Sequence, residues 1–313
     1  MRLLDVPGEM ARLRFAALRR EYYDRFWVDA AQRIGATCEK WDFGYHRITR
    51  EPLSAIVRLS EVRLDDHLTL ELMGNKLLTY RLLAEQGLAV PRHARFSISD
   101  LTPALSLIDT TGRPIVVKPL GGTGGGNGVT TGITDRSGLR GAAWLASRYD
   151  PDFIAEEQIE GHSYRLLFLD GVLLDAVRRD PPRLVGDGKS SVRALVAAEN
   201  RRRLSKRPFS ALSPLTLDRD ARGYLEAQGL TPHHRPGLGE TLVLKRAVNQ
   251  NSACDNHAVT HLVHPATAAA CTRLLANFGV RLAGIDILAR DIARPLTQEN
   301  GLIGEINTTP GLH

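Results

Sequence analysis

A run of glycines between two short apolar segments is the feature that most constrains how this chain of 313 residues can fold. Five of the six residues from Gly121 to Gly126 are glycine, and Gly128 follows. The segment before the run, RPIVVKPL, is typical of a strand and contains Lys118, and the segment VTTGIT after it predicts a second strand. Backbone amides without Cβ atoms approach an anion closely, so this arrangement predicts a flap that closes over phosphate groups.

Two other kinds of glycine-rich loop also follow strands, and the residues around this run disfavour both. A Rossmann loop opens a helix and usually follows the first strand of its domain, whereas another predicted strand follows this run. A Walker loop ends in Gly-Lys-Ser or Gly-Lys-Thr, whereas this run ends in Gly-Val-Thr. A dehydrogenase that uses a nicotinamide cofactor is therefore the weaker interpretation, and nicotinamide binding would revive it.

A second constraint comes from carboxylates in apolar segments near the C-terminus. Asp286 lies in LAGIDILAR, where an ionised side chain is costly to bury unless a cation meets it. Glu305 and Asn307 end the segment GLIGEIN, and their alternation sends both side chains to one face of a strand. Such oxygen donors suit a hard cation such as Mg²⁺. The alternative is a structural ion pair between Asp286 and an arginine, for which Arg281 is the candidate.

The composition is that of a globular protein with a modest excess of positive charge. Hydrophobic residues make up 43% of the chain, and 41 basic against 35 acidic residues give a net charge of +6. The basic residues are scattered, which favours small anionic ligands over nucleic acid. Three separated cysteines, the lack of a membrane-length apolar run and the polar N-terminus predict a cytoplasmic protein without a membrane partner. A homo-oligomer is left open.

Hydrophobic periodicity predicts a mixture of helices and short strands. We expect a helix over 10–35, extended segments at 36–43 and 53–59, and a second helix over 68–86 that ends before Gly87. Further along, we expect a helix over 136–148, three successive strands between 152 and 180, a helix that begins after Ser190 or Ser191, an irregular connection around one helix over 204–240, a strand over 241–247, a helix over 265–278, and strands over 281–290 and 301–307.

Five segments, taken in order, carry a resemblance to a known family. They are GNKLLTYRLLAEQGLAVP, IVVKPLGGTGGGNGV, the long run from IAEEQIEGHSYRLLFLDG to GDGKSSVRALV, GIDIL and GEINTTPGL. In this order they resemble the ATP-grasp superfamily, and above all the ATP-grasp region of cyanophycin synthetase and related amino-acid ligases. EINTTPG is also similar to D-alanine–D-alanine ligase. The similarity covers residues 65–313, which is most of the chain.

The resemblance implies an α+β ATP-grasp fold in which two α+β lobes hold ATP between them, with Mg²⁺ as the second cofactor. We expect a short N-terminal lobe over 1–70 and a first ATP-grasp lobe, which carries the flap, over 71–160. A second lobe with the magnesium and substrate loops should cover 161–313.

The resemblance also implies roles for single residues. The nucleotide-binding positions are Lys76 and Lys118 at the phosphates, Gly124, Gly125 and Gly126 in the flap, and Glu156, Glu157 and Ile159 in the hinge segment whose backbone binds adenine. Ser163 stands where many relatives have an acid that binds ribose. The candidate catalytic residues are Arg165, Arg178 and Arg179, and the metal ligands are Asp286, Glu305 and Asn307. Neighbouring strand residues face opposite ways, so only one of Arg178 and Arg179 faces the phosphates, and its spacing to GDG favours Arg179.

The implied activity is ATP-dependent joining of a carboxylate to an amine through an acyl phosphate, with release of ADP and phosphate. Small amino-acid-like molecules are the implied substrates. Cyanophycin synthetase has a further Mur-ligase-like region that this chain lacks, so we expect one ligation and no alternating polymerisation. The alternative from another class is a nucleotide-binding partner or sensor without turnover, which the intact lysines and metal-ligand positions disfavour.

Two further segments carry residues that often bind metals or act as nucleophiles. HAVTHLVH sets His257, His261 and His264 at helical spacing, but Pro265 favours a helix start at that point and disfavours a shared face. We therefore prefer polar surface or substrate-loop histidines over a zinc site. Cys254 lies in a loop similar to the substrate loop of the cyanophycin synthetase region, and a role as nucleophile is disfavoured because the acyl-phosphate route needs none.

Overall fold

A computed structural model of the chain describes residues 6–121, 128–205, 209–248, 250 and 252–311. The N-terminal part consists of one long helix and a three-stranded antiparallel sheet: α1 (Val6–Arg33), β1 (Thr37–Lys40), β2 (Tyr45–Arg50) and β3 (Leu53–Arg58). Leu18, Tyr23 and Ala31 of the helix are buried. The extended segments predicted at 36–43 and 53–59 contain the two outer strands, β1 and β3. The central strand β2 was missed; it is polar on its exposed side and follows the turn at Asp42–Gly44.

The next part forms a four-stranded antiparallel sheet with strand order β4-β7-β5-β6. Its elements are α2 (His67–Gly74), α3 (Lys76–Glu85), β4 (His93–Ser97), α4 (Thr102–Thr111), β5 (Ile115–Pro119), β6 (Thr130–Ile133), α5 (Arg136–Ala146) and β7 (Asp152–Glu157). Helices α4 and α5 pack on this first sheet around a core that contains Phe96, Leu139 and Phe153.

The prediction of one helix over 68–86 was wrong, because the structure has two. Asn75 between them is extended, with φ −92° and ψ 106°. Its side chain accepts hydrogen bonds from the amides of Leu77 and Leu78, so it caps the start of α3. The break places Lys76 at the first position of the second helix, where its side chain reaches the neighbouring sheet.

The remaining part contains a five-stranded antiparallel sheet with strand order β12-β9-β8-β13-β14. Its strands and their covering helix are β8 (His162–Leu169), β9 (Val172–Arg179), β12 (Asn256–Ala258), α8 (Pro265–Asn277), β13 (Leu282–Ala289) and β14 (Gly301–Asn307). One face of this second sheet packs with α3 and α8 in the largest apolar cluster, which includes Leu166, Phe168 and Ile285. The opposite face carries polar side chains.

A smaller third cluster is built from β10 (Arg183–Val185), α6 (Val192–Arg203), α7 (Arg219–Glu226) and β11 (Thr241–Val243). Ser191 caps α6, as one of the two predicted serines. The strand predicted over 241–247 ends at Val243, so its second half was wrong. Asp220 ties this cluster to the first sheet, because its Oδ1 accepts from the amide and hydroxyl of Thr131 at 3.0 and 2.6 Å.

Two whole-chain features complete the fold. In the ranges given above, no helix is long and apolar enough to cross a bilayer. The three cysteines are free thiols, of which Cys271 is buried, Cys38 is half-buried and Cys254 is exposed.

Candidate active site

A β-bulge brings the three predicted oxygen donors to one face of the second sheet. Asp286 lies directly opposite Glu305, and Asn307 follows two residues later on the same face. Between Ile303 and Glu305 the register shifts by one residue, so Gly304 has no partner on β13. With regular pairing, the alternation of side chains would have turned Glu305 and Asn307 into the core. The bulge therefore determines that Glu305 and Asn307 lie on the same face of the sheet as Asp286.

Two arginines form ion pairs with the carboxylate of Asp286. Arg165 donates through Nε and Nη2 to Oδ1 and Oδ2 at 2.7 and 2.8 Å, and Nη2 of Arg179 lies 3.0 Å from Oδ2. Burial by itself raises the pKa of Asp286, but Arg179 and Arg165 outweigh it and hold the pKa below its ordinary value. Arg281, the ion-pair partner considered from the sequence, was wrong: it binds Asp170 at 2.7 and 3.0 Å.

The two neighbouring arginines of β9 point to opposite faces. Arg179 lies opposite Ser163 and donates through Nη2 to its Oγ at 3.0 Å, on the same face as Asp286. Arg178 lies on the other face and donates through Nε to Asp180 at 3.1 Å. The structure thus places Arg179 and Ser163 with the other candidate residues and places Arg178 away from them.

The site carries more cations than carboxylates. Nε of Arg179 is buried and, among the described residues, donates to no acceptor. Burial lowers the pKa of Arg179, and the nearby positive charge of Arg165 lowers it further. The negative charge of Asp286 raises the pKa but does not offset these two effects. The cations on this face and across from it are Lys76, Lys118, Arg165 and Arg179, and the carboxylates among them are Glu156, Asp286 and Glu305. Nε of Arg179 is thus a buried donor without a described acceptor, and the guanidinium groups of Arg179 and Arg165 share one carboxylate. Such an arrangement is suited to binding an anion.

The oxygen donors also fit a divalent cation. Nδ2 of Asn307 donates to the carbonyl of Gly284 at 3.3 Å, which leaves the amide oxygen as the group able to bind a ligand. Glu305 is held loosely, since Nζ of Lys76 lies 3.8 Å from its Oε1. Two carboxylates and an amide oxygen form a ligand set that Mg²⁺ prefers. A cation would compete with the two arginines for Asp286.

The two predicted phosphate lysines approach the site from different elements. Lys76 begins α3, and Lys118 on β5 forms an ion pair with the buried Glu156. Burial disfavours the charged form of Lys118, but Glu156 outweighs it and raises the pKa above its ordinary value. Tyr80, one turn after Lys76, contacts Glu156 and was missed from the sequence. Its spacing of four from Lys76 was the available signal, because it predicts a shared helical face.

The hinge segment (residues 156–159) uses its side chains and its backbone differently. Glu157 accepts from Arg92 at 2.7 Å and from Arg113 at 3.0 Å, and Arg92, as the largest cause, holds the pKa of Glu157 below its ordinary value. The amides of Glu157 and Gln158 donate to the carbonyls of Arg92 and Pro114. Ile159, just beyond these bonds, donates its amide to no described acceptor, so this amide is able to donate to a ligand atom.

The predicted flap glycines Gly124, Gly125 and Gly126 lie outside the described residues. The two ends of the segment are well held. The amide of Gly121 donates to Oδ2 of Asp150 at 2.8 Å. Gly128 has a φ of +75°, and a Cβ there would lie 2.7 Å from Pro119 and 2.8 Å from Tyr149, so this position requires glycine.

The three histidines of HAVTHLVH do not share one helical face. His257 lies on β12, where Nε2 is 3.0 Å from Oδ2 of Asp180. His261 lies in a short 3₁₀ helix, and His264 precedes α8 and accepts from the amide of Ala266 through Nδ1. Each histidine therefore has a separate structural setting.

A small pocket lies next to the oxygen donors. Its volume is about 260 Å³. It is lined by Leu70, Met73 and Gly74 of α2 and by Glu305, Ile306, Asn307, Thr308 and Thr309. The apolar helix wall and the hydroxyl-bearing strand end leave room for one small organic group beside Glu305.

Sequence comparison finds relatives that are much longer than this chain. No family model matches it. It is 31% identical over 246 residues to cyanophycin synthetase of Nostoc sp. PCC 7120, covering 78% of this chain and 27% of that protein. It is 24% identical over 266 residues to the glutathione biosynthesis bifunctional protein GshAB of Clostridium perfringens, covering 84% of this chain and 34% of that protein. The chain thus spans about a third or less of the curated relatives that it matches.

Structural comparison identifies the fold. The bifunctional glutathione synthetase of Pasteurella multocida superposes with a TM-score of 0.52 at 24% identity, covering 88% of this chain and 38% of that one. The chain has the ATP-grasp fold. The fold class expected from the sequence is thereby confirmed. The polar face with Asp286 and Glu305 belongs to the second sheet.

Proposed function

We propose that this ATP-grasp chain is an ATP-dependent ligase that joins a small carboxylate to a small amine. The observation that carries the proposal is the pairing of Asp286 with Glu305 across the bulge, beside a half-buried cluster rich in lysine and arginine. This arrangement suits a metal-bound triphosphate. The similarity to cyanophycin synthetase and GshAB over most of the chain supports the same class of reaction.

The proposed chemistry has two steps. A carboxylate oxygen of the donor attacks the γ-phosphorus of ATP, the bond to the β-phosphate oxygen breaks, and ADP leaves. The amine nitrogen then attacks the acyl carbon, phosphate leaves, and the nitrogen loses a proton as the amide forms. The protein contributes mainly positioning, charge neutralisation and exclusion of water.

The residues of the site would divide these tasks. Lys76 and Lys118 bind phosphate oxygens, and Arg165 and Arg179 neutralise charge on the transferred phosphoryl group. Asp286, Glu305 and Asn307 would hold Mg²⁺, which supplies charge neutralisation at phosphate oxygens when bound. The two arginines share Asp286. With a metal-bound nucleotide, Asp286 would instead hold the metal, and the two guanidinium groups would bind the phosphoryl oxygens.

The adenine and the flap complete the proposed binding mode. The backbone of Glu156, Glu157 and Ile159 binds the adenine ring, and Gly124, Gly125 and Gly126 close over the phosphates. Ser163, which accepts from Arg179, replaces an acid at the ribose. We propose that the pocket of about 260 Å³ beside Asn307 binds the reacting amine, because its size suits one small group. Free thiols fit the proposed reducing cytoplasm.

The test is a substrate matrix with a product readout. Purified chain is incubated with ATP and Mg²⁺ against pairs of amino acids or other acids and amines. ADP is followed by a coupled assay, and products are identified by mass spectrometry. We expect ADP and phosphate in equal amounts with one amide product. AMP and pyrophosphate as products would refute the acyl-phosphate route, and tight ATP binding without turnover on any pair would favour the non-catalytic sensor.

A further inference from the structure

The hydroxyl of Tyr80 lies between two acceptors from different sheets. It is 2.9 Å from Oε1 of Glu156, on the first sheet, and 3.0 Å from the carbonyl oxygen of Gly304, on the second. Tyr80 is 1% exposed and Glu156 is 4% exposed, so water contributes little to either group. The side chain thus connects the first and second sheets at the edge of the proposed nucleotide site.

The hydroxyl has one hydrogen, so it donates to only one of these acceptors at a time. Burial raises the pKa of Tyr80 well above its ordinary value, and the charge of Glu156 raises it further, so the hydroxyl keeps its hydrogen. Gly304 is the bulge residue, which has no register partner on β13. The hydroxyl is therefore a donor within reach of the bulge as well as of Glu156, and the bulge aims Glu305 at Asp286.

The second acceptor is coupled to a phosphate lysine. Oε2 of Glu156 forms the ion pair with Lys118, while Oε1 faces the hydroxyl of Tyr80. When Lys118 turns to a phosphate, Glu156 loses its cation. A buried carboxylate without a partner is costly, and among the described residues Tyr80 is the other side chain that donates to it.

We propose that Tyr80 is a positioning residue that couples release of Lys118 to the geometry of the metal-binding strand. This rests on the proposed function, in which Lys118 binds phosphate and Glu305 binds Mg²⁺. While Lys118 is paired with Glu156, the Tyr80 hydroxyl donates its hydrogen to the carbonyl of Gly304. When Lys118 binds the phosphates, the hydroxyl donates to Glu156 instead and stabilises its negative charge.

The test is a double-mutant cycle on nucleotide binding by the full chain. ADP is titrated calorimetrically, without and with Mg²⁺, into the wild type, Tyr80→Phe, Glu156→Gln and the double variant. Tyr80→Phe should raise the Kd for ADP about tenfold, the scale of one hydrogen bond to a charged group, because Glu156 then retains Lys118. Glu156→Gln should tighten binding, because it frees Lys118. In the Glu156→Gln background, Tyr80→Phe should change the Kd less than about twofold, because the charge to be compensated is gone.

Tyr164→Phe is the matched control. Tyr164 is 4% exposed on the core-facing side of the same second sheet. It should leave the Kd for ADP unchanged. A purely structural role of Tyr80 would lower the thermal midpoint in both Glu156 backgrounds equally and leave the Kd unchanged, and that result would overturn the proposal.

The remaining outcomes separate this inference from the proposed function. Additive effects in the cycle, or weaker ADP binding in Glu156→Gln, would overturn the coupling, and the second result is decisive even when Tyr80→Phe does not fold. Wild-type chain that binds ADP but turns over no acid–amine pair refutes the ligase, while the cycle still decides the coupling. Wild-type chain that does not bind ADP refutes both.

Discussion

Replacing Asp286 by asparagine separates the two roles of its carboxylate. The substitution keeps the shape of the side chain and removes the charge that Arg165 and Arg179 share. Loss of one partner of a fully buried ion pair costs about 3–5 kcal/mol. Here the side chains of Asp286, Arg165 and Arg179 are 18%, 27% and 15% exposed, and the asparagine oxygen still accepts one hydrogen bond. We therefore expect a loss of about 2 kcal/mol in the free energy of unfolding.

The nucleotide response gives the sharper signature. In the proposed binding mode, Asp286 competes with phosphate for the two guanidinium groups that it binds in the structure. Asp286→Asn removes the competitor, so ADP without metal should bind at least as tightly as to the wild type. The same change removes a proposed metal ligand, so Mg²⁺ should no longer strengthen binding. Turnover should fall by about a thousandfold or more, because phosphoryl charge is then less well neutralised.

Asp170→Asn is the matched control, because Asp170 also forms a two-bond pair with an arginine. That pair, with Arg281, is about half exposed on both sides, so its loss should cost much less stability than the loss of the Asp286 pair. Calorimetric titration of ADP with and without Mg²⁺ and a thermal unfolding curve measure both variants. Undiminished ligation by Asp286→Asn, or Mg²⁺ dependence equal to that of the control, would refute the metal assignment.

Three further changes test other parts of the structure. Gly128→Ala places a Cβ 2.8 Å from the ring of Tyr149 at a φ of +75°; we expect about 2 kcal/mol of destabilisation by denaturant unfolding, and wild-type stability would contradict the packing described. Burial raises the pKa of Cys271 to about 12, so at pH 8 an aromatic disulfide reagent should label the exposed Cys254 first and leave Cys271 unlabelled until the chain unfolds; early labelling of Cys271, seen by peptide mass analysis, would be inconsistent with its burial. The lowered pKa of Asp286 means that its ion pair contributes stability above about pH 4 and loses it as the pH falls through the folded-state value; the difference in unfolding free energy between wild type and Asp286→Asn should therefore shrink below pH 4, and a constant difference would refute the charge argument.

Local signals were sufficient for several features of the fold and the site. The alternation in GLIGEIN predicted a common face for Glu305 and Asn307, and the β-branched run IVVKP is β5. Ser191 caps α6, and Pro265 begins α8, where a helix start was expected. These features depend on a residue and its immediate neighbours, so a sequence pattern contains the needed information.

Features that depend on distant partners were not predictable in the same way. The Gly304 bulge is defined by how β14 pairs with β13, and no pattern within β14 reveals it. The partners of Asp286 come from β8 and β9, so the arginine nearer in sequence, Arg281, was the wrong choice. Tyr80 resembles an ordinary core residue until its hydroxyl is placed against another sheet. The roles of these side chains at a nucleotide stay predictions.

The bulge also gives this strand one residue more than its pairing with β13 requires. Removing Gly304 would make Ile303 and Glu305 neighbours, so Ile303 would stay opposite Ile287 and Glu305 would stay opposite Asp286. Among one-residue deletions in β14, the loss of Gly304 should accordingly disturb the inner and outer faces of the strand least.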